Sequence, residues 1–281
     1  MSMGDRVRGL LELTRPVNAV AAGVLTFIGA FVAGGAFALP IETGAAVGAT
    51  IFATGAGNAI NDYFDREIDR INQPGRAIPR GAVTPREALV FSLALFAGAV
   101  VLALLLPLAA IAIAVVNLVA LVAYTKVFKG LPGAGNVVVA YLGGSTFLFG
   151  GAAVNVLNEA VVVLFALAAI STLTREIVKD VEDIEGDREE GLNTLPIAIG
   201  ERNALGLGVV LLGVAVLASP VPYLQATFGL AYLLVVVPAD LLMLYAGYES
   251  FHDPTASQSH LKYGMFLAAA AFIAGRIGVI V

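Results

Sequence analysis

Two sets of three aspartates carry the chemistry of this chain. Asp62, Asp65 and Asp69 stand at i, i+3 and i+7 in the run NDYFDREID (Asn61 to Asp69), and Asp180, Asp183 and Asp187 repeat that spacing in DVEDIEGD. On a helix the spacing keeps all three carboxylates within about 60° of one another around the axis. In both copies an arginine follows the last aspartate (Arg70, Arg188), and an apolar residue plus proline follows at nearly the same distance (Ile78-Pro79, Leu195-Pro196). A single acidic run reads as solvated surface; a matched pair suggests a repeat whose triads face each other across one site.

Six carboxylates at one place repel each other unless a cation joins them. Mg²⁺ takes carboxylate and carbonyl oxygens and is commonly completed by phosphate oxygens of a substrate. Arg70, Arg76, Arg80, Lys126, Lys129 and Lys179 stand around the triads and are the candidates for holding the remaining phosphate charge. The expected ligand is therefore a metal diphosphate. The chain has no cysteine, which excludes thiolate metal sites and disulfides. His252 and His260 share a short polar loop, too few ligands for zinc. A net charge of −5 and a pI near 5.1 argue against nucleic acid as a partner.

The elements that must position these residues are membrane helices. Of 281 residues, 59% are hydrophobic and 13% charged, and mean hydropathy is +0.89, far from a soluble domain. A span needs about 20 apolar residues. Val17 to Leu39 and Gly44 to Ile60 are the first two. Thr84-Pro85-Arg86-Glu87 is a capping box with proline at the first helical position, and starts the third. Ala88 to Tyr124 would measure about 55 Å as one helix, so Pro107 is read as a hairpin between spans three and four. Asn136 to Val154, Ala160 to Leu173, Asn203 to Ala218, Tyr223 to Tyr245 and Leu261 to Val281 complete nine. The fold expected is all-α, one polytopic bundle over residues 1–281, with the triads in two Asp-rich loops, Asn61 to Thr84 and Arg175 to Arg202.

Charge placement tests that count independently. With nine alternating spans, the amino-terminal arm and the loops after the even-numbered spans lie on one side. They hold every Lys and Arg except Arg276. By the positive-inside rule the amino terminus and both triads face the cytoplasm, and the carboxyl terminus lies outside. Met1 to Arg15 has no apolar core, so insertion is expected to use the first span rather than a cleaved signal. A diphosphate site at the cytoplasmic lip of an apolar bundle suits a charged head with a long hydrocarbon tail, the shape of a polyprenyl diphosphate. Stabilising the departing diphosphate leaves an allylic cation for a nucleophile.

NDYFDREID and DVEDIEGD resemble the two aspartate-rich motifs of the UbiA-type intramembrane prenyltransferases, whose nine-helix fold matches the expected span count. The resemblance covers essentially the whole chain. It implies Mg²⁺ ligation by Asn61, Asp65, Asp69, Asp183 and Asp187, with Asp62 and Asp180 beside them, and places Asp62, Asp65, Asp180 and Asp183 at the reacting centre. The family also carries a Tyr-x-x-x-Lys element after the fourth span; here Tyr124 is followed by Lys126 and Lys129, off that spacing. NDYFDREIDRIN, then Pro74, Arg76 and Ile78-Pro79-Arg80, and the Gly135-Asn136 opening of the fifth span, are most similar to the archaeal branch. That branch implies transfer of a geranylgeranyl group from geranylgeranyl diphosphate to the hydroxyl of geranylgeranylglyceryl phosphate, forming the second ether bond of archaeal membrane lipids. No protein partner is implied.

Other readings stay open at this point. An aromatic prenyltransferase, prenylating 4-hydroxybenzoate or a quinone precursor, would use the same motifs. A cation or phosphate-linked transporter would also pair acids, although such sites lie near the midplane on broken helices. A nucleotide-dependent lipid phosphotransferase lacks its usual glycine- and arginine-interleaved acid motif here. Arg15 before Pro16 reads as a helix anchor or an acceptor-phosphate ligand. Asp240 is expected near the cytoplasmic end of its span, where an intramembrane carboxylate, costly at the bilayer centre, is tolerable in a solvated cavity. Asn117 and Asn136 are interhelical hydrogen bonders or site residues, and Gly143-Gly144 and Gly150-Gly151 are close-packing positions.

Overall fold

A computed structural model describes residues 3–280, apart from the side chains of residues 72, 125, 126 and 280. The described residues are all-helical: α1 (Met3–Leu13), α2 (Pro16–Val32), α3 (Pro40–Phe64), α4 (Arg66–Asn72), α5 (Pro85–Ala103), α6 (Leu108–Ala123), α7 (Ala134–Ala153), α8 (Glu159–Glu182), α9 (Ile184–Glu189), α10 (Leu195–Ile199), α11 (Glu201–Ala218), α12 (Val221–Leu224), α13 (Leu230–Glu249) and α14 (Pro254–Ile280). A π-helical turn, Tyr124–Phe128, extends α6. Six helices are long and apolar enough to cross a membrane, or seven if the bent pair α1–α2 counts as one span; α6 is apolar but shorter.

Local sequence sets many of these boundaries. Thr84 caps α5 as expected: its Oγ1 accepts from the Glu87 backbone N–H at 3.2 Å, and the Glu87 carboxylate accepts from the Thr84 N–H at 2.8 Å. Asn158 caps α8 by accepting from the Val161 N–H. Pro107 stands at the N-cap of α6, so the long apolar run does fold back there. Proline opens α2, α3 and α5 within their first turns, where its missing N–H has no intrahelical partner to lose.

Three expectations are corrected. The first acid stretch is not a loop: α3 runs on through Asn61 and Asp62 to Phe64, and α8 likewise carries Arg175 to Glu182. Polarity marks where a chain leaves hydrocarbon, whereas a helix stops only where backbone or capping chemistry stops it. The span read as Tyr223 to Tyr245 begins instead at Leu230, because Val221-Pro222 opens a separate short helix and Ala226 takes a left-handed backbone, φ 57°. The polar loop before α14 is short, since α14 begins at Pro254; His260 lies on it and pairs with Glu249 at 2.6 Å.

The helices pack round α2, α7 and α8. α2 touches α3, α7 and α14, α7 touches α6 and α8, and α8 touches α11 and α14. Phe147, Phe228, Tyr232 and Phe272 form an aromatic core with ring centroids 5.0–6.1 Å apart, joined by Ile28, Val32 and Leu164. Small residues let the backbones close in, as expected: a Cβ on Gly150 would lie 1.9 Å from the Thr26 carbonyl oxygen, and one on Gly144 2.7 Å from that of Phe165. Gly150→Ala must push α2 and α7 apart. We expect it to destabilise the folded protein by about 1–3 kcal/mol, read as a lower midpoint in thermal unfolding of the detergent-solubilised chain.

Candidate active site

The two acid motifs are built the same way in three dimensions. Each begins on the last turn of a long helix, α3 or α8, and breaks at its middle aspartate, and each resumes on a short helix, α4 or α9. Asp65 (φ −82°, ψ 1°) and Asp183 (φ −89°, ψ 4°) hold the same bridge-region backbone. The amide of Asp65 donates to the Asn61 carbonyl at 2.8 Å and that of Asp183 to Lys179 at 2.9 Å; Asp69 and Asp187 then donate to the carbonyls of Asp65 and Asp183. The repeat read from the spacing is thus a repeat of backbone geometry, and the carboxylates fan around a joint rather than lining one straight helix.

In the first motif, buried charge is neutralised by arginines. Asp62 is 6% exposed and Asp69 5%. Arg76 Nη1 donates to Asp69 Oδ2 at 2.7 Å and to Asp62 Oδ1 at 3.4 Å, so one guanidinium ties both ends of the triad. Arg15 Nη2 donates to Asp62 Oδ1 at 2.8 Å. Arg15 occupies the left-handed region at φ 47°, at the 46° bend between α1 and α2. A non-glycine residue before proline pays strain there, and the ion pair is what it gains. Asn58 Nδ2 secures the same bend by donating to the Thr14 carbonyl. Asp65 is half-buried, and its carboxylate makes no ion pair or hydrogen bond among the described residues.

The second motif is held differently. Asn136, buried at the start of α7, donates to Asp180 Oδ2 at 2.8 Å, and Lys179 Nζ reaches Asp183 Oδ2 at 2.9 Å. The Asp187 carboxyl is pushed above the usual carboxylate range, by burial first and then by the neighbouring Asp183 charge, against the pull of Lys179 and Lys129. A cation there would reverse that balance.

The other expected phosphate ligands separate into groups. Arg76 and Lys179 stand within the motifs, and exposed Lys129 acts on Asp187. Arg70 pairs with Glu67 on its own exposed helix, and Arg80 is bound to Glu12 of α1 at 2.6 Å and to the Gly75 carbonyl. The side chain of Lys126 lies outside the described residues. Among the described residues no three acidic, histidine or cysteine side chains converge on one metal position, and no ion pair links the two motifs.

A cavity of about 320 Å³ opens between α3, α5, α6 and α7. Asn58 and Asn61 stand on its wall at the motif end, and below them it is lined by residues such as Ala53, Phe96, Ala103 and Leu118. Asn117 also faces it, with a buried Oδ1 lacking a partner among the described residues. Asp240 belongs elsewhere: it lies midway along the 20-residue α13 rather than near its end, and accepts from Ser219 Oγ at 2.5 Å beside a second cavity. Arg15, which from sequence reads as a helix anchor or an acceptor-phosphate ligand, is brought against Asp62 of the first motif, a pairing whose only local signal was a charge directly before the first apolar run.

An all-helical bundle with two acid motifs of matching geometry, the first at one end of an apolar cavity, defines a class, and the sequence comparisons place it. Residues 22–270 match the model of the UbiA prenyltransferase family, and the chain belongs to that family. It is 66% identical over 276 residues to the digeranylgeranylglyceryl phosphate synthase of Natronomonas pharaonis, covering 98% of this chain and 99% of that one. A solved structure described as giving insight into digeranylgeranylglyceryl phosphate synthase in membranes superposes with a TM-score of 0.80 at 37% identity, covering 97% of this chain and 99% of that one. A UbiA homolog from Archaeoglobus fulgidus, bound to GPP and Mg²⁺, shares the fold with a TM-score of 0.70 at 18% identity, covering 97% of this chain and 100% of that one.

Proposed function

We propose that this chain transfers a geranylgeranyl group from geranylgeranyl diphosphate to the free hydroxyl of geranylgeranylglyceryl phosphate, making digeranylgeranylglyceryl phosphate. The observation that carries the reading is near-full-length identity of 66% to a synthase of that name. The site agrees with it: the first motif, where Arg76 holds Asp62 and Asp69, meets an apolar cavity through Asn61. In the reaction the C1–O bond of the donor breaks, and its electron pair leaves with diphosphate. The acceptor oxygen then bonds to C1 and loses its proton.

The donor set fits Mg²⁺. It is all oxygen; Asp65 makes no ion pair or hydrogen bond among the described residues, and Asp183 is held only by half-exposed Lys179, which suits an ion bound by one or two carboxylates plus phosphate. Asn61, Asp65, Asp69, Asp183 and Asp187 would hold it, where it supplies positive charge to the leaving diphosphate. Asp62 and Asp180 orient this set: Asp62 fixes Arg15 and Arg76, and Asp180 is fixed by Asn136. Arg76, Lys129 and Lys179 would meet the remaining phosphate charge, whereas Arg70 and Arg80 are committed to Glu67 and Glu12; the resemblance adds Lys126, whose side chain lies outside the described residues. The apolar cavity takes the donor tail and keeps water from the cation.

We read the chain as a single domain spanning residues 1–281 and crossing the cell membrane nine times, by α2, α3, α5, α6, α7, α8, α11, α13 and α14. The one-sided distribution of Lys and Arg supports a cytoplasmic amino terminus and motifs, with the carboxyl terminus outside.

Ala53→Phe fills the cavity without touching a motif. Transfer from geranylgeranyl diphosphate is expected to fall roughly tenfold or more, while transfer from dimethylallyl diphosphate is spared, in a two-donor competition. The function itself is tested by offering radiolabelled geranylgeranyl diphosphate with geranylgeranylglyceryl phosphate, 4-hydroxybenzoate and a naphthoate. Labelled ether lipid alone is the expected product; label in an aromatic ring alone overturns the acceptor and leaves the family.

A further inference from the structure

A groove outside the active site lies between α1 and the first turns of α5, lined by Arg6, Leu10, Arg86, Val90, Phe91 and Ala94 with others. Its upper rim is basic and its wall apolar. The Glu87 carboxylate at this rim is already committed to capping α5 through Thr84 and stands 3.6 Å from Arg6, so it offsets that charge only loosely. Arg86 is exposed and has no ion pair or hydrogen bond among the described residues.

The surroundings say what kind of molecule meets this groove. Met3, Val7 and Leu11 leave an exposed apolar stripe along α1, and Val90 and Leu93 continue it down α5. The opposite face of α1 is anchored: Gly9 packs against Val83, and Glu12 holds Arg80. A short amphipathic helix with one apolar face outward, joined at a 46° bend to an apolar span, has the form of a helix lying in a bilayer interface. A groove that runs from two arginines down onto the apolar flank of a span then crosses from headgroup depth to acyl-chain depth.

We propose that this groove binds an anionic phospholipid of the surrounding bilayer, its phosphate between Arg6 and Arg86 and one chain along Val90, Phe91 and Ala94. The site shares no residue with the motifs or with the cavity between α3, α5, α6 and α7. It gives α1 a fixed depth at the membrane surface, and through α1 it supports the Arg15 bend.

The test is native mass spectrometry of the full chain released from mixed micelles containing phosphatidylglycerol or phosphatidylcholine. The wild type is expected to retain phosphatidylglycerol in preference to phosphatidylcholine, and Arg6→Gln with Arg86→Gln to lower that retention roughly tenfold. Arg8→Gln, a loss of one positive charge on the exposed face of α1 away from the groove, should leave it unchanged, whereas Arg6→Gln alone or Arg86→Gln alone should already lower it. Transfer activity in detergent should be the same in all of them, showing that each is folded. Equal retention of the two lipids by the wild type, an equal loss in Arg8→Gln, or displacement of the lipid by inorganic phosphate alone would overturn the proposal. So would a lipid-free dimer with the groove covered by a second copy.

Discussion

Removing one open carboxylate from each motif, Asp65→Ala with Asp183→Ala, is expected to lower the transfer rate by about a thousandfold or more while leaving the thermal unfolding midpoint nearly unchanged. The expectation follows from where these two aspartates stand. Asp65 has no side-chain partner among the described residues, and Asp183 has only half-exposed Lys179. Neither holds the fold together, since an exposed pair of the Lys179 kind contributes about 1 kcal/mol at most. Both sit at the joint where their motif turns from long helix to short helix. Loss of activity with stability kept therefore reports on the reacting centre. Full activity in the double variant would remove the acid motifs from the chemistry.

Arg76→Gln should do the reverse and act on both properties. It takes the shared donor from Asp62 and Asp69, two carboxylates almost fully buried. Stripping the partner from a fully buried pair costs about 3–5 kcal/mol. Here Arg76 is itself 34% exposed and Arg15 still covers Asp62, so roughly 2 kcal/mol is expected. Lowered stability at neutral pH should be accompanied by lost transfer. Arg76→Lys should recover stability more than activity, because an ammonium supplies charge without the guanidinium fork that spans both aspartates. Equal recovery of the two would mean that Arg76 is only a structural counter-charge.

How much of this was legible in the sequence depended on the distance over which each feature is determined. The capping box at Thr84, the fold-back at Pro107 and the close-packing Gly144 and Gly150 are decided within a few residues, and each stands where the sequence put it. The motif spacing was legible too, but its geometry was not. Nothing in Asn-Asp-Tyr-Phe breaks a helix, so α3 continues past the end of its apolar run, and the break falls on the middle aspartate. The pairing of Arg15 with Asp62 spans 47 positions and depends on how α1 bends from α2, which no local pattern encodes. The same holds for Asn136 with Asp180, 44 positions apart. Arg70 and Arg80 show the converse: a basic residue near an acid motif in sequence can face away from it, since a short helix presents only one side.

Two motifs that act as one diphosphate clamp must hold the metal together, and metal binding tests this directly. The measurement is a Mn²⁺ titration of the purified chain by electron paramagnetic resonance, with and without a non-ionisable geranylgeranyl diphosphate analogue. A shared clamp predicts weak binding by the chain alone, because among the described residues no three acids converge without the phosphate oxygens. It predicts tight binding with the analogue, lost to a similar degree in Asp65→Ala and in Asp183→Ala. Tight binding without the analogue, or a variant in either motif that binds as the wild type does, would contradict it.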